Sequence, residues 1–97
     1  MRIIAKGTLK SFWEVHADAR VSLETWYHLA TKNSFDNATD VLALFPNCRA
    51  IRNKKYVFNI KGNSYRLIVK FNFEAKVGFI LFIGTHAAYD KINIEKL

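Results

Sequence analysis

The pattern of apolar and polar positions divides the chain into a helical first half and a β-rich second half. Two segments of the first half repeat apolar residues at helical spacing. Their stripes consist of Leu9, Phe12, Trp13 and His16, and of Leu23, Trp26, Tyr27 and Ala30. Thr8 and Asp18 stand where these two helices could be capped. A third helical stretch, residues 39–45, is predicted to end before Pro46, because proline disfavours a helical residue in front of it.

The second half alternates between apolar and polar residues, as strands do. The alternation is strong in residues 55–61, 64–73 and 76–85 and weak in residues 48–52, while residues 2–5 could form a short first strand. The last strong segment is almost continuously apolar, which predicts a central strand buried on both faces. The order of elements predicts a single α+β domain over the whole chain, residues 1–97, with helices on one face of an antiparallel sheet.

The pair Gly62 and Asn63 is a strong signal for a two-residue hairpin loop. Such a loop sets Asn59 opposite Arg66, and residues paired in this way share one face of the sheet. One face is then predicted to be open and basic, with Lys55, Val57, Asn59, Lys61, Ser64, Arg66, Ile68 and Lys70. The other face is predicted to meet the helices, with Tyr56, Phe58, Ile60, Tyr65, Leu67, Val69 and Phe71.

A second hairpin turn near Glu74 and Ala75 brings His86 back to the first hairpin. Hairpin loops usually have about two to five residues, and each of these lengths leaves His86 opposite a position within residues 63–66. His86 is therefore predicted at the edge of the basic face whatever the register. The residues that follow it closely include Tyr89, Asp90 and Lys91.

The net positive charge of the chain comes from its second half. The formal net charge is +7. Residues 1–48 carry five basic and five acidic side chains, whereas residues 49–97 carry ten basic and three acidic ones. A one-sided basic surface favours a polyanionic partner such as a nucleic acid, although a positive surface can also simply aid solubility.

A histidine beside Lys61 and Arg66 is suited to breaking the phosphodiester bond of RNA. RNA can be cleaved by its own 2′-hydroxyl, which requires a proton acceptor, a proton donor and stabilisation of the phosphorane. Histidine can move the protons, and arginine and lysine can stabilise the charge, so no metal or other cofactor is required. His86 could instead be a polar residue at a strand end, and Lys55 and Lys70 could contact phosphate or only water.

Several other classes of protein and site are not indicated by the sequence. Cys48 is the only cysteine, so it can form neither an intrachain disulfide nor a structural zinc set. His16 and His28 are interpreted as helix residues, because they lack partners at metal-ligand spacing. We find no signal peptide, membrane-spanning segment, P-loop, zinc-protease helix or catalytic-triad signature, and we expect a cytoplasmic protein without a membrane partner.

Two sequence blocks contain most of these candidate residues. They are Asn59-Ile60-Lys61-Gly62-Asn63-Ser64-Tyr65-Arg66-Leu67-Ile68 and Phe82-Ile83-Gly84-Thr85-His86-Ala87-Ala88-Tyr89-Asp90-Lys91-Ile92. Both blocks resemble the HigB toxins, a branch of the RelE superfamily. The similarity extends over essentially the whole chain. The resemblance implies a RelE-like α+β fold, with helices against a curved antiparallel sheet, and cleavage of mRNA, typically on the ribosome. It also implies a HigA-type helix-turn-helix antitoxin, through which the pair binds its own operator DNA.

The resemblance also implies roles for individual residues. Tyr65-Arg66-Leu67 matches a block of RelE-like toxins whose arginine contributes to catalysis, and Lys61 corresponds to a basic residue of the preceding strand. RelE has arginine where this chain has His86, and a tyrosine comparable to Tyr89 stacks on a base or positions the phosphate. The predicted catalytic residues are therefore Arg66, His86, Lys61 and Tyr89. The predicted RNA-binding residues are Lys55, Asn59, Asn63, Ser64, Lys70, Asp90 and Lys91.

Two alternative hypotheses for the function involve no catalysis. The basic face could belong to an RNA- or DNA-binding module, or to an adaptor that binds an acidic protein. RNA cleavage, measured with and without ribosomes, separates an enzyme from a binding module. A strongly salt-dependent affinity for RNA argues against the adaptor.

Overall fold

Four α-helices and five β-strands form the chain, and the computed structural model describes residues 1–97. The helices are α1 (Lys6–Val15), α2 (Arg20–Lys32), α3 (Ala38–Leu44) and α4 (His86–Lys91). The strands are β1 (Arg2–Ile4), β2 (Cys48–Ile51), β3 (Lys55–Ile60), β4 (Tyr65–Asn72) and β5 (Val77–Thr85). Short 3-10 turns span Ala17–Ala19 and Ile94–Lys96. The longest helix has 13 residues, and none of the helices has the length and apolarity that crossing a bilayer requires.

The five strands form one sheet in the order β1-β5-β4-β3-β2. Strands β2 to β5 pair antiparallel, whereas β1 pairs parallel with the start of β5. The predicted α+β class is confirmed, and the sheet is mixed rather than purely antiparallel because of β1. The short first strand thus covers one edge of the sheet over only three residue pairs.

Helices α1, α2 and α3 pack on one face of this sheet, as their apolar stripes predict. The helices contribute Leu9, Trp13, Leu23, Trp26, Ala30 and Val41 to the core. The strands contribute Tyr56, Phe58, Ile60, Tyr65, Leu67, Val69 and Phe71, which is the face that the hairpin register assigns to the core. Burial of these side chains is the main stabilisation of the fold.

The two predicted helix caps are wrong. Helix α1 begins at Lys6, two residues before Thr8, and it has no side-chain cap. Asp18 lies in the 3-10 turn before α2, and its carboxylate accepts hydrogen bonds from Tyr65 and Lys61 instead of from the helix. Hydrogen bonds to residues distant in the sequence therefore replace the helix cap that the local sequence predicted for Asp18.

The central strand is β4, not β5 as its apolar run predicted. All side chains of β4 up to Val69 are buried. Beyond Phe79, β5 has no neighbour on its outer side, because β1 pairs only with Val77, Gly78 and Phe79. Phe79 is 41% exposed, so the continuous apolar run of β5 reflects a strand near the sheet edge rather than full burial.

The predicted register of the hairpin is confirmed. Asn59 lies opposite Arg66, and Lys55 lies opposite Lys70. Gly62 takes a φ of 62°, in the left-handed region that favours glycine. Strand β5 reaches the same turn, because the backbone N–H of His86 donates to the carbonyl oxygen of Ser64 at 3.1 Å. His86 therefore arrives within residues 63–66, as predicted.

Candidate active site

The face of the sheet opposite the main helices is partly covered by the C-terminal segment. After β5 the chain turns into α4, which contacts β4 and β5, and then into the last 3-10 turn. A half-open cavity of about 290 Å³ remains beside α4, and its lining residues are Asn47, Arg49, Val57, Asn59, Arg66 and Tyr89. Two guanidinium groups, a phenol and two amides thus share one recess.

Arg66 is the most enclosed cation of this recess, at 9% exposure. Its guanidinium donates to the backbone carbonyl oxygen and the side-chain oxygen of Asn63, both at 3.0 Å. The guanidinium carbon also lies 5.8 Å from the centre of the Tyr89 ring. Gly84, opposite Arg66 in β5, adds no side chain at this point of the face. The turn and α4 therefore hold the planar guanidinium of Arg66 in one orientation, which suits binding of an oxyanion such as phosphate.

Tyr89 is placed by two cations. One is Arg66, under its ring, and the other is Arg49 of β2, whose Nη2 donates to the Tyr89 hydroxyl at 2.7 Å. Helix α4 carries Tyr89 to this position because the Thr85 hydroxyl caps the helix by accepting from the backbone N–H of Ala88 at 3.1 Å. Tyr89 and both arginines thus line the same cavity.

His86 forms a pair with Asp90 one turn later in α4. Nδ1 of His86 lies 3.1 Å from a carboxylate oxygen of Asp90, and both side chains are about half exposed. A carboxylate on Nδ1 orients the imidazole and leaves Nε2 for another partner, which is the arrangement that general acid–base catalysis uses. His86 does not line the cavity itself; its backbone is anchored at Ser64, beside the turn that holds Arg66.

Lys61 does not join this group. Its ammonium lies 2.9 Å from the Asp18 carboxylate, which also accepts a hydrogen bond from the Tyr65 hydroxyl. The hydrogen bond from Tyr65, and then the one from Lys61, holds the pKa of Asp18 below its ordinary value. Lys61 was predicted on the basic face, but its φ of 50° breaks the strand alternation and directs it toward the helix side. That predicted placement is wrong.

Lys55 departs from the prediction in another way. It was expected on an open face, but it is buried to 3% exposure, and its ammonium donates to the carbonyl oxygen of Ile94 at 3.0 Å. The C-terminal 3-10 turn covers it, which alternation along a strand could not predict. Lys70, directly opposite in β4, is exposed as expected.

The remaining predicted RNA-binding residues are distributed around the recess. Asn59 lines the cavity, and Asn63 supports Arg66. The carbonyl oxygen of Ser64 holds the start of α4. Asp90 pairs with His86, and Lys91 is exposed in the last turn of α4.

Arg49 and Asn47 are site residues that the sequence reasoning missed. The sequence feature that could have revealed Arg49 is the weak strand predicted at residues 48–52, because its neighbouring strand in the sheet was not assigned. Once β2 pairs with β3, Arg49 lies opposite Val57 and therefore on the face of Arg66. A cation on a short edge strand gave no sign of its role until that pairing was known.

Comparisons with known proteins agree with the RelE-like fold class and with the resemblance to HigB toxins. The family model of the HigB toxin, a RelE-like toxic component of a toxin–antitoxin system, matches residues 19–92. The chain is 31% identical over 95 residues to the mRNA interferase HigB of Escherichia coli O6:H1, covering 96% of this chain and 92% of the relative. It is 28% identical over 92 residues to the mRNA interferase toxin HigB of Escherichia coli (strain K12) and to the mRNA interferase HigB of Shigella flexneri, covering 93% of this chain and 88% of each relative. The chain belongs to the HigB family of RelE-like toxins, the toxic components of toxin–antitoxin systems.

Proposed function

We propose that this toxin is an endoribonuclease that cleaves mRNA at the recess between β2, β4 and α4. Relatives that match over nearly their whole length are named mRNA interferases. The observation that carries the proposal is the enclosed guanidinium of Arg66, fixed by Asn63 and facing a cavity that also holds Arg49 and Tyr89. Such a recess accepts a phosphodiester and stabilises the charge of its phosphorane.

The proposed reaction uses the 2′-hydroxyl of the RNA. Its oxygen attacks the adjacent phosphorus while its proton is taken up by a general base. The bond to the 5′-oxygen breaks, and that oxygen receives a proton. The products are a 2′,3′-cyclic phosphate and a 5′-hydroxyl end. In this proposal Arg66 stabilises the phosphorane, and His86 and Tyr89 move the protons; the support is that Tyr89 lies over Arg66 and that Asp90 orients His86.

The substrate is proposed to be mRNA held on the ribosome. The recess is only half enclosed. Residues 49–97, which form most of it, carry ten basic and three acidic side chains. A small face of this kind attracts RNA but does not by itself bend it into in-line geometry. The ribosome supplies that geometry, so we expect free RNA to be cut poorly and the toxin to act in the cytoplasm.

A HigA-type antitoxin with a helix-turn-helix domain is the proposed partner, and the pair is proposed to bind its operator through the antitoxin. The support is the family, which consists of toxins from toxin–antitoxin systems. Co-expression of the neighbouring small reading frame should restore growth. Growth that stays arrested although both proteins are made would contradict this partner.

Induced expression in bacteria tests the function directly. We expect growth arrest, with messages cut to 5′-hydroxyl ends that are mapped by primer extension. Arg66→Lys is the matched variant, since it keeps the positive charge but lacks the planar guanidinium whose two nitrogens bond the oxygens of Asn63. Normal growth with folded protein present would refute a toxin, and arrest with intact messages would favour a non-catalytic RNA-binding module.

A further inference from the structure

The contact between Arg49 and Tyr89 has a fixed direction. A guanidinium has only donors, so the phenol oxygen must be the acceptor of the 2.7 Å hydrogen bond. The phenolic hydrogen is then left for another acceptor, and the Tyr89 hydroxyl has no other hydrogen-bond partner in the protein. Because Tyr89 lines the cavity together with Arg49, that hydrogen is free for a ligand in the recess.

The two arginines also determine what Tyr89 can do chemically. Arg66 lies under the ring and Arg49 lies at the oxygen, so two cations contact the phenol. Because Arg49 already donates to the phenol oxygen, the phenolic hydrogen is the group left to face a ligand. The neighbouring His86, with its Nδ1 on the Asp90 carboxylate, has an imidazole suited to accepting a proton.

We propose that Arg49 is a positioning residue that makes Tyr89 the general acid of the cleavage, donating its proton to the leaving 5′-oxygen. The proposal rests on the proposed function. His86 takes the proton of the 2′-hydroxyl, the bond between phosphorus and the 5′-oxygen breaks, and the phenolic proton moves to that oxygen. Solvent returns a proton to Tyr89 and removes one from His86, so the protein is unchanged after each turnover. Arg49 touches no reacting atom in this scheme and acts through Tyr89.

A substrate that needs no general acid tests the assignment of Tyr89. Sulfur in place of the leaving 5′-oxygen departs as a thiolate without a proton. On the normal message, Tyr89→Phe should lose about 10²–10⁴ in cleavage rate, the contribution of a general acid. On the sulfur-substituted message it should recover to within about tenfold of the wild type, whereas His86→Ala should stay defective on both. An equal defect of Tyr89→Phe on the two messages would overturn the proposal.

A double-mutant cycle tests whether Arg49 acts through Tyr89. We expect Arg49→Ala to lower kcat by about ten- to a hundredfold with little change in KM, the range of coupling between contacting residues. The double variant with Tyr89→Phe should be no slower than Tyr89→Phe alone, and Arg49→Ala should also recover on the sulfur-substituted message. An additive loss, or a loss in KM only, would instead make Arg49 a phosphate ligand and overturn the positioning role.

Arg52→Ala is the matched control. Arg52 lies just beyond β2 and is well exposed, and its nearest carboxylate, on Glu95, is 3.9 Å away. This variant removes the same charge without touching Tyr89, so its kcat should stay close to that of the wild type. If Arg49→Ala and Arg52→Ala behaved alike, the inference would fail while the proposed function stood. If the wild type cut no message, the proposed function would fail first.

Arg49 is exposed, so its removal should not unfold the protein. Arg49→Gln provides a second variant, which keeps a hydrogen-bond donor at this position.

Discussion

Replacing Arg66 by alanine should affect both activity and stability, because this side chain is at once enclosed and part of the recess. Its guanidinium is only 9% exposed and bonds two oxygens of Asn63, and the Tyr89 ring packs on it. From the sequence, Arg66 was expected to project from an open face, so that its loss would leave the fold intact. The structure makes it a support of the hairpin turn as well.

The magnitudes follow from these contacts. Hydrogen bonds from a charged group contribute about 1.5–3 kcal/mol each when desolvated, and less where water can replace them. Stacking on an aromatic ring adds about 0.5–2 kcal/mol. We therefore expect Arg66→Ala to lose about 2–4 kcal/mol of unfolding free energy, against a total of about 5–15 kcal/mol for a domain. At about 4–8 °C per kcal/mol, the Tm should fall by roughly 8–32 °C.

The catalytic loss should be separate from the loss of stability and of similar size in free energy. Removing one donor to a developing oxyanion costs about 2.7–4 kcal/mol of transition-state stabilisation, or 10²–10³ in rate. The cleavage rate of a defined message should be measured in a translation mixture, at a temperature where circular dichroism shows each variant folded. Arg20→Ala is the control, since it removes an exposed arginine of α2 that pairs only with Glu24. A folded Arg66→Ala protein that cuts within about threefold of the wild-type rate would refute the catalytic role.

Three further predictions concern other residues. His86→Ala should lower the cleavage rate by about 10²–10⁴ with little change in Tm, because the side chain is half exposed; an unchanged rate would remove His86 from the mechanism. The hydrogen bonds of Tyr65 and Lys61 hold the pKa of Asp18 below 3.8, so its stabilisation is complete above that value and is lost as the pH falls through the lowered pKa. The urea midpoints of the wild type and Asp18→Asn should therefore differ at about pH 7 and converge toward about pH 3, and a constant difference would contradict this. Burial raises the pKa of Cys48 from 9.0 to about 11, so iodoacetamide at about pH 8 should alkylate the folded protein about a hundredfold more slowly than the unfolded chain, as mass spectrometry can measure.

The sequence was most informative where local geometry decides the outcome. The turn at Gly62 determines the register of β3 and β4, and that register predicts which face each residue takes. The position of His86 was robust for the same reason, since every usual loop length brings it to the turn. Even the bulge between Ile68 and Val69, which shifts the pairing with β5, leaves the backbone of His86 bonded to Ser64.

The errors lie where contacts distant in sequence decide the outcome. Alternation assigns Lys55 to one face of the sheet, but it cannot show that the C-terminal turn will fold over that face and bury the ammonium. It also assigns Lys61 to that face, but the left-handed turn directs Lys61 to Asp18, 43 residues earlier in the chain. Arg49 escaped notice because a short edge strand has no recognisable face until its partner is known.

Helix α4 is the element that converts a basic sheet into a candidate site. His86 and Asp90 are four residues apart, so they lie on one side of the helix and pair. Tyr89, one residue before Asp90, is turned by about 100° and meets the two arginines of the sheet. The sequence placed these three residues near the turn without showing that a helix would separate them in this way. The cations therefore belong to the sheet and the proton-carrying groups to α4, and the contacts of Arg49 with Tyr89 and of Ser64 with His86 join the two parts.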